Sequence, residues 1–412
     1  MLARATERLR AEVRRFPAAF WFLCANVIAI RSGAFVFPFL MLFLTTQRGL
    51  SLPQAGSALS LYGAGSVCSS LLGGQLADRW GRRPTFLLSM CGGALALGCL
   101  ALVRTPTALF CTCFVFGVFG EMHRPAVSAA IGDVVPADRQ VTAFGHLYWA
   151  HNLGFAIAPF SAGLLVSQLG FGSLFVVQVA TLSACLLCAL RYFRETRPEH
   201  PAGAPRSAPP FAFGGVLRDH RFALFLAAFL PLTMLMLQTI SVLPMRMHQS
   251  GIDAAAYGRI ISINGVMIVV LQPWLLARLL PLPRTAVLAC GALALGIGYM
   301  GHAFADSTGT HIAALALWTL GEISVVPIAG GMVSELARPE LRGRYQGAYG
   351  VTWSFASFAS PWIATSALSR IGVHGWGYSC AAAGACSALL YVAFGAMRRD
   401  SAKLQETTEP SM

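Results

Sequence analysis

Apolar residues in this chain gather into runs of twenty or more positions, and most of its arginine, aspartate and glutamate falls in the short segments between them. The runs lie near 17–45, 52–76, 84–104, 107–131, 141–167, 171–193, 221–246, 254–278, 285–305, 310–335, 344–369 and 376–397. A helix rises ~1.5 Å per residue, so each run is long enough to cross a hydrocarbon layer of about 30 Å. The pattern predicts an all-α membrane protein of about twelve transmembrane helices.

The widest polar interruption, 194–220, carries Pro198, Pro201, Pro205, Pro209 and Pro210, a composition with little reason to fold. It is read as a linker between a six-helix bundle at 1–193 and a second at 221–412 that ends in a short tail. The two halves also repeat. Glu121 corresponds to Glu322, Pro125 to Pro327, Asp133 to Glu335 and Pro159 to Pro361, and these charged and proline matches outweigh the coincidences of leucine and alanine.

Composition narrows the class further. Hydrophobic residues make up 56% and charged residues 11%, where soluble proteins carry about a quarter charged. The mean hydropathy is +0.63. A net charge of +13 would suit nucleic acid if it formed one polar face, but the arginines flank the ends of apolar runs, which points to topology and lipid and to no nucleic acid. Arginine collects in the N-terminal tail, at Arg79, Arg82, Arg83 and Arg139, in 191–221, at Arg278 and Arg284, in 338–344 and at Arg398 and Arg399. The alternate loops hold mainly Arg48, Arg104, Arg246 and Arg370. Both termini are therefore expected in the cytoplasm, with the first run retained as a helix rather than cleaved as a signal. The eleven cysteines lie within apolar runs without histidine at metal spacing, so neither a metal site nor a cofactor is expected. No phosphate-binding G-x-x-x-x-G-K-[ST] loop is present and lysine occurs once, at Lys403, which excludes ATP-driven pumping within this chain. No nucleophile and base stand at matching depth, so an enzyme is not expected.

The segment Gly74-Gln75-Leu76-Ala77-Asp78-Arg79-Trp80-Gly81-Arg82-Arg83 is a knot of charge and glycine between two apolar runs. Physically it reads as a tight turn at a membrane surface, where Gly74 and Gly81 permit close approach and chain reversal and Asp78 compensates a helix end or an arginine. Its G-x-x-x-D-R-x-G-R-R pattern resembles the loop between the second and third helices of the major facilitator superfamily, matched at Gly74, Asp78, Arg79, Gly81, Arg82 and Arg83. The resemblance implies twin six-helix bundles, spans one, four, seven and ten lining a central cavity, and a loop that engages the end of the eleventh helix near 343–347 as a conformational latch.

The fifth run reads Gly145, Gly154, Ala158-Pro159 and Ala162-Gly163. This is similar to the fifth-helix motif of the superfamily's proton-coupled antiporters, with two glycines replaced by alanine. Close packing around a proline-bearing helix is the alternative reading.

Ions inside a membrane span are costly and need a partner or a purpose. Arg31, Glu121, Arg124 and Glu322 fall on three of the spans that the resemblance assigns to the cavity. Glu121 and Arg124 share a helical face. The alternatives are a buried ionic lock of Arg31, Glu121 and Arg124, or proton uptake by Glu121, Glu322 or both, with the arginines receiving an anionic part of a substrate. Gln238, Ser241, Asn264, Tyr148 and His151 are further cavity candidates, and helix-to-helix hydrogen bonding explains them equally well. Arg31 stands where many drug antiporters carry an acidic residue, a departure that favours neutral, zwitterionic or anionic cargo over cations. The resemblance implies a proton-coupled exporter of small organic molecules in a bacterial inner membrane, acting as a monomer among lipids, with protons as coupling ion. An uptake symporter and a non-transporting sensor on the same fold are the alternatives.

Overall fold

The computed structural model describes residues 15–136, 139–197, 218–337 and 341–408. Most of the expected linker, 198–217, and the arginines before Arg15 lie outside the described residues. The described chain is helical, with α1 Ala18–Ser32, α2 Val36–Leu42, α3 Leu52–Arg79, α4 Arg82–Leu102, α5 Pro106–Glu121, α6 His123–Val134, α7 Gln140–Leu169 and α8 Gly172–Tyr192. There follow α9 His220–Met236, α10 Val242–Gln249, α11 Ala254–Leu279, α12 Arg284–Ala303, α13 Thr308–Leu336 and α14 Arg342–Thr408. Among the described residues ten stretches are long and apolar enough to cross a membrane; the last of them, in α14, is interrupted at Gly372, whose φ of 73° is not helical. Helix α3 has the length of a span, but its glycines and serines keep it outside that set.

The helices start where the sequence supplies caps. Thr105 accepts from the Ala108 N–H with Pro106 at the first helical position, Asp253 accepts from Ala256, and Ser307 and Thr310 form a reciprocal capping box. Asp219 caps α9 through one carboxylate oxygen and accepts the Tyr345 hydroxyl on the other.

Two compact units divide the chain: Met1–Val36 with Ala64–Arg206, and Phe37–Gly63 with Ser207–Met412. In the first, α4 packs on α5, α6 and α8, and α1 on α7. In the second, α12 packs on α13 and α14, α9 on α14, and α11 on α13. Phe37–Gly63 is fastened within the second unit by close backbone approaches. A Cβ on Gly56 would lie 2.0 Å from Thr365 Oγ1, and one on Gly63 would lie 2.2 Å from the Ser357 carbonyl oxygen.

Three interruptions matter more than the regular helices. Irregular backbone survives inside a membrane span only when other groups satisfy its freed donors and acceptors. Between α1 and α2 the chain breaks at 33–35, and the side-chain oxygen of Gln178 accepts the Val36 N–H at 2.8 Å. Gly33 permits this bend against α8, since a Cβ there would lie 2.6 Å from Thr181. Between α5 and α6 the break falls at Met122, where the buried Ser89 hydroxyl donates to Phe119 O at 2.6 Å and accepts the His123 N–H at 2.9 Å. Between α9 and α10 a 3-10 turn at Leu237–Ile240 is held by Tyr299, which donates to Met236 O and hydrogen-bonds Thr239, and by Tyr257, which donates to Thr239 O. The continuous first, fourth and seventh runs of the sequence reading are thus divided, because their apolar composition does not reveal that side chains elsewhere replace helical hydrogen bonds.

The second unit also holds a buried chain that the sequence pattern did not announce. Trp318 Nε1–H donates to His302 Nε2 at 3.1 Å, so His302 carries its hydrogen on Nδ1 and donates to His311 Nδ1 at 2.9 Å. His311 then donates from Nε2 to Ser250 Oγ at 3.2 Å. Arg246, expected in a loop between runs, is buried and donates to the carbonyls of His302 and Ala305 at and just beyond the end of α12.

Candidate functional site

In the first unit the candidate residues meet at the breaks. Arg31 is the penultimate residue of α1, just before the α1–α2 interruption, and Glu121 and Arg124 flank the α5–α6 interruption. One oxygen of Glu121, Oε2, accepts from Arg31 Nη2 at 3.4 Å and from Arg124 Nη1 at 3.2 Å. Arg31 Nε also donates to His151 Nδ1 at 3.0 Å, which leaves the neutral imidazole carrying its hydrogen on Nε2. Arg31 and Glu121 are mostly buried, whereas the Arg124 side chain is 55% exposed. Arg124, Tyr148 and His151 line a cavity of about 220 Å³ together with His123, Ser128 and Phe144. His123, which the sequence reading passed over, is wholly buried, with Nδ1 at 3.0 Å from Gly120 O.

In the second unit Glu322 is in a different setting. Its Oε2 accepts from Asn264 Nδ2 at 2.8 Å, and the same amide reaches Thr319 Oγ1 at 3.1 Å. Among the described residues no cation lies within ion-pair distance of it. Gln238 and Ser241 are both buried in this unit. Gln238 Oε1 accepts from the Trp376 indole and Ser241 donates to Leu237 O, so packing occupies the groups expected to face a cavity.

The charged turn is built around Arg82 rather than around the aspartate. Arg82 Nε donates to Asp133 Oδ2 at 2.9 Å, and its Nη1 donates to Ala77 O at 2.7 Å and to Asp78 Oδ1 at 3.1 Å. The Arg82 and Asp133 side chains are 9% and 13% exposed, against 66% for Asp78, so the Asp133 pair is the strong one. Here Asp133 pairs with Arg82, Arg139 donates to Arg15 O, and Glu335 pairs with Arg284. Arg79 is exposed, and Arg83 donates to Leu190 O. Gly74 has open space where a Cβ would stand, so it makes no close approach; the neighbouring Gly73 does, 2.8 Å from Pro125. Gly81 is needed twice, for its φ of 115° and because a Cβ would lie 2.2 Å from Glu195 Oε2.

Glu195 is a component of the turn that the sequence did not disclose. Its carboxylate accepts the N–H groups of Arg82 and Arg83 at the start of α4, and those of Thr196 and Arg197. Partial burial opposes its ionisation, but these four donors prevail and hold the carboxyl below its ordinary value. The capping energy of a carboxylate with a depressed pKa is complete above the unfolded value and disappears as pH falls through the folded one. Glu195→Gln is therefore expected to lower the thermal unfolding midpoint at pH 7 and to converge on the parent protein only as pH falls through the lowered folded value of Glu195. A pH-independent difference would remove the charge from this role.

Along α7, Gly154 is the position where another helix enters. A Cβ there would lie 2.3 Å from Arg31 Cβ and 3.0 Å from the Arg31 backbone, so neither chain can relieve it by a rotamer change. Ala158, Pro159, Ala162 and Gly163 are buried, whereas Gly145 has nothing within 4 Å of a Cβ and forms no such contact. Gly154→Val is expected to displace α1, break both Arg31 contacts and cost about 1–3 kcal/mol by overpacking. An unchanged unfolding midpoint for this variant would show that α1 is not seated on Gly154.

Together these features define a polytopic helical membrane protein with charged residues gathered at breaks in its spans. The Major Facilitator Superfamily model matches residues 22–361, and the chain belongs to that superfamily of transporters. It is 24% identical to a Na(+), Li(+), K(+)/H(+) antiporter of Planococcus maritimus, covering 79% of this chain and 84% of that one. It is 23% identical to the multidrug resistance protein MdtH of Cronobacter sakazakii, covering 80% and 81%. Among solved structures, a POT family transporter in complex with a thioalcohol-conjugated peptide superposes with a TM-score of 0.76 at 17% identity, over 92% of this chain and 95% of that one. That last likeness concerns fold alone.

Proposed function

We propose that the chain is a proton-coupled exporter of small organic molecules, working by alternating access as a monomer in a bacterial inner membrane. Its two six-helix halves, 1–193 and 221–412, are joined by 194–220, and both termini are cytoplasmic. The observation that carries this reading is the contrast between its two intramembrane carboxyls. Two guanidiniums compensate Glu121. Glu322 has an amide donor and no such partner among the described residues. Charge without a counterion in an apolar span is relieved by a proton, which makes Glu322 the coupling residue and Glu121 part of the binding site. The names of the antiporter and multidrug relatives support this direction. The Arg82 network then steadies one exposure state.

The test uses purified protein in liposomes carrying a pH gradient, with a cargo found by ligand stabilisation. Export predicts cargo moving against the proton flux. Movement of cargo with the protons would establish the symporter alternative, and gradient-independent flux would remove proton coupling.

A further inference from the structure

We infer that the cavity of the first unit takes the anionic group of an aromatic organic acid, with Arg124 as its receptor. The inference rests on the transporter reading and adds the class of cargo.

Charge balance comes first. Beside this cavity Arg31 and Arg124 both donate to Glu121, and Arg124, whose side chain is 55% exposed, meets no second carboxylate among the described residues. The other described carboxylates of this unit, Asp78, Asp133 and Glu195, are gathered at the α3–α4 turn and do not touch it. A guanidinium so placed favours an anion there over a neutral molecule and disfavours a second cation.

Donor chemistry points the same way. Glu121 Oε2 is shared by two arginines, and Arg124 spends only Nη1 on it among the described contacts. Its remaining N–H groups form the planar fork that suits a carboxylate. His151, held by Arg31 as an Nε2–H donor, lines the same cavity from α7. Phe144, Leu147 and Tyr148 follow the same face of α7 as His151. Phe144 and Tyr148 remain 39% and 47% exposed while lining the cavity, leaving aromatic surface for a flat apolar body.

The experiment measures binding of matched probes to the full-length protein in lipid nanodiscs by calorimetry. The probes are benzoate, 2-naphthoate and indole-3-acetate, their three carboxamides, and benzyltrimethylammonium. At least one carboxylate is expected to bind about tenfold or more tightly than its amide, as loss of a charge-assisted contact implies, with no binding of the ammonium probe. Arg124→Gln should abolish the carboxylate preference, Arg124→Lys should retain part of it, and Tyr148→Ala should weaken acid and amide alike. The inference fails if no carboxylate binds, if amide or ammonium binds as well as acid, or if Arg124→Gln keeps the preference in protein with unaltered tryptophan fluorescence. Proton-driven flux of benzamide or benzyltrimethylammonium in liposomes would end this inference and leave the transporter reading intact. Carboxylate binding without gradient-driven flux would do the reverse.

Discussion

Glu322→Gln is expected to abolish accumulation driven by a pH gradient while exchange of cargo across the membrane at equal pH continues. Glutamine keeps the shape of the side chain and can still accept from Asn264 Nδ2, now 2.8 Å from Glu322 Oε2, so the packing of α11 on α13 has no reason to change. What disappears is the group able to alternate between charged and neutral forms. Full gradient-driven transport in this variant, measured in liposomes beside an exchange assay, would overturn the assignment. The equivalent change at Glu121 should behave differently. Glu121→Gln leaves Arg31 and Arg124 without their shared carboxylate. Breaking a buried pair on one side costs about 3–5 kcal/mol, discounted here because Arg124 faces the cavity. Reduced thermal stability is therefore expected at Glu121, and uncoupling at Glu322.

The second large effect is at Arg82. Arg82→Gln strips Asp133 of its nearest cation and leaves Ala77 O without its donor, all in a setting where the two charged side chains are no more than 13% exposed. The expected loss is about 3–5 kcal/mol, seen as a fall of several degrees in the thermal unfolding midpoint. Arg82→Gln combined with Asp133→Asn should recover part of this, since no unpaired charge then remains. Additive losses in the double variant would dissolve the pair as a unit. Asp78→Asn, at an exposed carboxylate, is expected to change stability by less than about 1 kcal/mol. If it nevertheless slows turnover more than it weakens cargo binding, Asp78 acts on conformational exchange and not on folding.

The helical membrane architecture could be read from the chain because it depends on local quantities. A run of twenty apolar residues is a span wherever its neighbours lie, and caps such as Thr105-Pro106 and the Ser307–Thr310 box are written within four positions. Membership of the superfamily was legible for a similar reason, since the glycines and charges around Asp78 lie in one short stretch. The cost of membrane ions likewise singled out Arg31, Glu121, Arg124 and Glu322 without any coordinates.

Partners were not legible, because they join residues far apart in sequence. Nothing local indicates that Gln178 closes the break after Arg31, that Ser89 bridges the break beside Glu121, or that Glu195 caps the helix beginning at Arg82. Nor does anything local show that Gly74 and Gly145 meet open space, or that Gln238 and Ser241 hydrogen-bond to Trp376 and Leu237. By itself the sequence determined which segments are apolar spans and which of their residues carry charge, through hydrophobic run length and desolvation cost. Only the tertiary structure decided which charges neutralise one another, where the spans break and which carboxyl has no cation beside it among the described residues. Those outcomes follow from distances of a few ångströms between helices, and no periodicity along one chain encodes them.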